Sequence, residues 1–222
     1  MSTAPTLPRT TTPSPDGRWA PTPAGLLRRV GADSAYLLTG FPLALAGFVV
    51  LVTGAATGAG LLVVWVGLPL LVATALATRA LAELERARIA AVVPAPRLVG
   101  AYGPVPAGTG LVRRFLAPLL REQTRRDALH ALALFPVSVV TWSVAVAWWS
   151  TAVAGTGSVL WARWARADGG PLVLLDLPGM PADPGARVVA ATVVGLAFLL
   201  TLPAVLRTCT RVQTDLGRAL LG

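Results

Sequence analysis

The sequence predicts an all-α membrane fold: four transmembrane helices arranged as two repeated hairpins, with short cytoplasmic amphipathic helices. Three observations predict it. Four apolar runs, at about 36–57, 59–78, 130–152 and 188–206, contain no Asp, Glu, Lys or Arg, and each is long enough to cross roughly 30 Å of hydrocarbon. The chain of 222 residues is 55% hydrophobic and only 13% charged, a balance that suits a bilayer better than water. Its basic residues are all arginine and are spread unevenly about the apolar runs.

Residues 1–24 are rich in Thr and Pro, including Thr10, Thr11, Thr12, Pro13 and Pro15, and carry too little apolar content to fold alone. They read as a disordered cytoplasmic tail ahead of a four-helix domain over 25–222. Leu26-Leu27-Arg28-Arg29 begins a basic amphipathic stretch expected to lie on the membrane surface. The first two spans are parted only by Thr53-Gly54-Ala55-Ala56-Thr57-Gly58, read as a tight turn. From Arg79 to Val92 the second span continues as a cytoplasmic helix, with Glu83–Arg86 and Glu85–Arg88 at helical pairing distance. A Pro/Gly linker runs on to Gly110, then a basic helix over Leu111 to Ala128 leads into span three. The cytoplasmic segment between spans two and three, 79–129, has only about fifty residues, which leaves no room for a nucleotide-binding domain. Spans three and four flank an extracytoplasmic loop at about 153–187.

With the N-terminus inside, sixteen of the nineteen arginines face the cytoplasm: four before Tyr36, nine in 79–129 and three from Arg207 onward. Only Arg163, Arg166 and Arg187 fall outside. Cytoplasmic loops are enriched in basic residues, so both termini are expected in the cytoplasm, the basic patches resting on anionic lipid. The net charge of +9 therefore points to the lipid bilayer as partner and not to nucleic acid. A single cysteine, Cys209, excludes an intramolecular disulfide. The absence of Lys and Asn and the single Ile89 suggest a genome rich in G and C, and with it a bacterial cell membrane.

Displaced by 94 residues, Asp33, Leu38, Phe41, Pro42, Val50 and Val52 recur as Asp127, Leu132, Phe135, Pro136, Val144 and Val146, and Phe48 answers to Trp142. Each half is then one hairpin, and two spans per half imply a parallel repeat with Pro42 and Pro136 at one depth. Each span carries a proline, Pro42, Pro69, Pro136 or Pro203, which removes a backbone donor and marks a candidate hinge. Trp148, Trp149, Trp161 and Trp164 fit an outer aromatic belt. Trp161, Arg163, Trp164 and Arg166 are the candidate ligand-facing patch, through indole faces and guanidinium forks. His130 reads as an interfacial anchor. Ser138, Thr141, Thr192 and Thr201 can hydrogen-bond between helices. No catalytic constellation, cofactor motif or metal-ligand spacing stands out. The last segment, from Arg207, offers Val212, Leu216 and Leu220 on one helix face as a candidate output surface, with an Arg211–Asp215 pair on another.

The runs YLLTGFPLALAGFVVLV (36–52), VGLPLLVATALATRALAELERAR (66–88), RRDALHALALFPVSVVTWSVAVAWWS (125–150) and LGRALLG (216–222) resemble the sensor domain at the N-terminus of many histidine kinases of high-G+C Gram-positive bacteria. The resemblance spans roughly 25–222. It implies a four-helix membrane module that receives a signal and passes it to a cytoplasmic kinase. Because no dimerisation helices of a kinase come after Arg207, the expectation is either a separate partner, such as a histidine kinase or another membrane protein, or a fragment of a longer chain. A homodimer fits as well. An accessory or scaffold subunit of a membrane complex is the alternative, and a small-molecule transporter the third reading.

Overall fold

A computed structural model describes residues 23–93, 111–160, 162 and 183–221. The Thr/Pro-rich tail and most of the 153–187 loop lie outside the described residues. Among the described residues the chain is helical: α1 is Pro23–Gly60, α2 Gly67–Val92, α3 Leu111–Leu120, α4 Glu122–Thr156 and α5 Pro184–Leu221. A short 3-10 turn, Leu61–Val64, joins α1 to α2. Four of these helices are long and apolar enough to cross a membrane. Large apolar side chains such as Val63, Leu200, Val189 and Val193 point outward, as lipid-facing residues do.

Three boundaries differ from the sequence reading, each for a local reason. The basic stretch at Leu26–Arg29 is the first turns of α1 and not a separate surface helix. The hairpin reverses at Leu61–Val66 rather than at Thr53–Gly58, through Trp65 in the left-handed conformation at φ 62°. Gly54 and Gly58 are instead contact points, where a β-carbon would lie 2.2 Å from Thr74 Oγ1 and 2.7 Å from Leu71. Small residues there let two helices close up without leaving the helical conformation. The basic helix breaks at Arg121, which is extended, so α3 and α4 are separate. Pro118 sits in the last turns of α3, and its carbonyl is taken by Thr124 Oγ1 at 2.6 Å.

The α1–α2 and α4–α5 hairpins pack on each other mainly through α1 and α4. Trp149 Nε1 donates to Ser34 Oγ at 3.0 Å; Phe41 lies 5.0 Å from Trp142 and Phe48 lies 4.5 Å from Phe135, centroid to centroid. As α1 advances from 34 to 48, α4 retreats from 149 to 135, so the two run antiparallel. Asp33 meets Arg207 and Gly40 meets Gln213, so α5 runs parallel to α1. The hairpin tips therefore lie at opposite ends of the bundle. This corrects the parallel repeat: a 94-residue offset equates positions but does not specify the axis relating them. The offset carries Phe41 to Phe135 and Phe48 to Trp142, so the two ring pairs exchange with one another across an axis transverse to the helices. Pro136 falls level with Gly47, so it and Pro42 are displaced along the bundle by roughly 8 Å, about five residues at about 1.5 Å each.

Within the second hairpin, Gly155 and Gly195 touch backbone to backbone. A β-carbon on Gly155 would stand 2.6 Å from the Ala191 carbonyl oxygen, and one on Gly195 would stand 2.4 Å from Thr156 N. Ser158 and Thr192 share a hydrogen bond of 2.8 Å beside this crossing, and Trp148 Nε1 donates to Thr201 Oγ1 at 3.2 Å. Trp148 also packs on Phe198. Trp148 and Trp149 thus bind helix to helix, their indole donors finding hydroxyls on neighbouring helices. The apolar core is Tyr36, Leu37, Ile89, Ala145, Leu202 and Leu206.

Candidate functional site

The charged residues that flank the apolar runs converge where the hairpins overlap. From α2, Arg86 donates to Asp127 Oδ1 of α4 at 2.8 Å, with both side chains almost fully buried. Gln123, one turn before Asp127, donates to the same oxygen at 3.2 Å. Arg86 further pairs with Glu83 at 3.2 Å and reaches the Leu221 carbonyl of α5 at 3.4 Å. One turn of the same buried face brings in Glu85, which accepts from Tyr36 Oη of α1 at 2.8 Å and pairs with Arg88. Arg88 donates to the Tyr36 carbonyl at 2.6 Å and lies over the Tyr36 ring, 4.7 Å from its centroid. Arg207 approaches Asp33 at 3.6 Å, and Gln213 donates to Thr141 Oγ1.

Local sequence explains why these groups face inward. Glu85, Arg86 and Ile89 share the α2 face that already buries Ala82 and Thr78, spaced three and four apart as one helix face requires. Asp127, His130, Ala131 and Leu134 do the same on α4. Burying charge is costly unless it is paired and hydrogen-bonded; two arginines against two carboxylates meet that condition. Such a cluster can hold the hairpins in register and can repartition its pairs when one member changes charge.

His130 is the exception. It is 3% exposed, and neither ring nitrogen has a hydrogen-bond partner. The interfacial-anchor reading is therefore corrected: the ring lies inside the bundle beside Gly217 of α5, where a β-carbon would meet His130 Cε1 at an ordinary contact distance of 3.8 Å. The side chain that needs the glycine is Ile89, whose Cδ1 would be 2.4 Å from that β-carbon.

The other sequence-predicted site residues separate. Trp161, Arg163, Trp164 and Arg166 lie outside the described residues. Pro42, Pro136 and Pro203 are inside α1, α4 and α5. Pro69 is in the first turn of α2, where no carbonyl one turn back awaits its missing donor, so it starts a helix and does not hinge one. Val212 is exposed and Leu216 and Leu220 half-buried, while Gln213, Thr214, Gly217 and Leu221 form the face packed into the bundle. Asp215 pairs with Arg218 at 3.9 Å rather than with Arg211. Among the described residues no group of three His, Cys, Asp or Glu side chains is placed to hold a metal ion.

A family model described as "Putative sensor" matches residues 36–221. No curated protein and no solved structure matches the chain.

Proposed function

This chain belongs to that sensor family, and on that premise we propose that it is a non-catalytic membrane module that passes a stimulus to a separate cytoplasmic partner such as a histidine kinase. The observation that carries the reading is the family match over almost the whole described chain. The form of α5 supports it. One continuous helix runs from the apolar segment to Leu221, its inner face bound to α4 and α2, with Val212 exposed and Leu216 and Leu220 half-buried along the neighbouring face. A stripe of that spacing suits docking against a partner helix. Replacing Val212, Leu216 and Leu220 together by Ser should abolish co-purification of the partner from gentle detergent extracts while leaving membrane insertion intact. A partner retained at wild-type levels refutes output through this face and favours an accessory subunit held by contacts within the membrane.

The arginine distribution supports a bacterial cell membrane with both termini in the cytoplasm. That orientation puts both hairpin tips outside, whereas the antiparallel packing of α1 and α4 puts them at opposite ends of the bundle. Cysteines at Val63 and Val159, both exposed, in a Cys209→Ser background decide between them. Labelling of both by an impermeant thiol reagent on intact spheroplasts upholds the arginine-based orientation and refutes the antiparallel packing of α1 and α4. Labelling of only one discards the arginine-based orientation.

A further inference from the structure

We infer that His130 is a proton-binding site, and that loading it loosens the Arg86–Asp127 bridge between the hairpins. The ring lies against a cavity of about 20 Å³ lined by Thr78, Glu85, Asp127 and Leu134 among others, above the roughly 10–15 Å³ that one water requires. A neutral imidazole carries one donor and one acceptor, and buried polar atoms without partners are rare in folded proteins. Both ring nitrogens of His130 are buried and unpartnered, beside two carboxylates. A water in the cavity satisfies the ring and links it to the acids. A hydronium there hands its proton to the free ring nitrogen, leaving water and imidazolium.

The charged surroundings determine what the added proton does. From α2 the ring is faced by Glu85 and Arg86, and from its own helix by Asp127; α1 lines the cavity with the uncharged Leu43, Ala44 and Gly47, and α5 contributes the uncharged Gly217. Arg86 already pairs with Asp127 and with the half-exposed Glu83, and Arg88 with Glu85. An added positive charge on His130 therefore competes with a guanidinium for an acid. Asp127 is the nearer claim, three residues earlier on the same helix. As His130 takes Asp127, Arg86 loses the partner that ties α2 to α4. The inference rests on the sensor reading only for its biological meaning, since the proton chemistry needs no partner protein.

The chain has one histidine, so histidine labelled with ¹⁵N in the full-length protein gives the two ring-nitrogen signals of a single imidazole. In lipid nanodiscs the ring should titrate in a single step as the pH falls from about 8 to about 3, a range that takes in buried histidines as well as ordinary ones. Spin labels at Leu84→Cys and Leu129→Cys, both exposed positions on α2 and α4, in a Cys209→Ser background should separate over that same step. In His130→Gln the distance should be constant with pH. A ring that stays neutral throughout overturns the proposal, as does a titrating ring with an unchanged distance. Equal separation in His130→Gln also overturns it and assigns the response to the acids. If His130→Gln does not fold, coincidence of the two wild-type midpoints carries the test. None of these outcomes bears on partner capture by Val212, Leu216 and Leu220, so the two readings fail separately.

Discussion

Replacing Asp127 by Asn removes a charge from the middle of the hairpin interface while keeping the side chain's volume. Breaking a buried ion pair by neutralising one member costs about 3–5 kcal/mol, because the other charge stays buried without its counterion. Arg86 and Asp127 are 2% and 0% exposed, so the pair belongs to that class. Arg86 keeps Glu83 at 3.2 Å and the Leu221 carbonyl at 3.4 Å, which places the cost at the low end, about 3 kcal/mol, or roughly 150-fold in the folding equilibrium. Unfolding by sodium dodecyl sulfate from mild detergent micelles, monitored by far-ultraviolet circular dichroism, measures it. The double substitution Arg86→Met with Asp127→Leu should recover most of the loss, since well-packed apolar pairs often replace buried ion pairs at no cost. Glu122→Gln, in an exposed pair with Arg125 and Arg126, is the control and should change stability by less than about 1 kcal/mol. An Asp127→Asn protein as stable as that control would refute the reasoning, showing that the hairpins do not meet at this pair.

Glycine substitutions should divide by what the new β-carbon meets. Gly155→Ala should cost at least about 1–3 kcal/mol by forcing the α4–α5 backbones apart, whereas Gly31→Ala, with nothing within 4 Å, should stabilise by up to about 1 kcal/mol through helix propensity; the same unfolding assay reads both. Trp65→Gly should relieve about 1–2 kcal/mol of left-handed backbone strain at the first hairpin tip, and a loss of stability would show that the indole anchors the tip instead. Thr141→Val removes the acceptor of the Gln213 amide and should destabilise by about 1–3 kcal/mol, the cost of a buried polar group left unmatched; Ser143→Ala on the exposed face of α4 should be neutral.

The spans were legible in the sequence because length and absence of charge are local properties, and nothing in the fold competes with them. The continuation of α2 past Arg79 and of α5 past Arg207 was legible for the same reason. Thr53–Gly58 misled because small residues serve both to turn a chain and to let helices touch, and only the facing Thr74 and Leu71 show which applies. The charge cluster was hidden by its own local plausibility. Glu83–Arg86 and Glu85–Arg88 look like solvated pairs on a helix, while the partner that buries Arg86 lies 41 residues away at Asp127. A signal was present in the matched positions Asp33 with Asp127 and Tyr36 with His130, an acid and then, three residues later, a ring at the start of each odd-numbered span. Its inward direction depended on the packing of α1 and α2 around the start of α4, which no single segment reveals.

The lengths of α1 and α5 have a mechanical meaning. Each has 38 residues, about 57 Å of helix at about 1.5 Å per residue, against a hydrocarbon layer of roughly 30 Å. The stretch of α1 before its apolar run, 23–35, and that of α5 after its run, 207–221, project beyond the lipid tails as lever arms of about 20 Å and about 23 Å. If the bilayer margin is the fulcrum, a change of tilt of about 10° sweeps the free end through roughly 4 Å, most of one helical pitch. A thickness change in the lipid, which helices accommodate by tilting, would thereby be read out as a displacement of Arg28 or Leu220 without a single backbone hydrogen bond being broken.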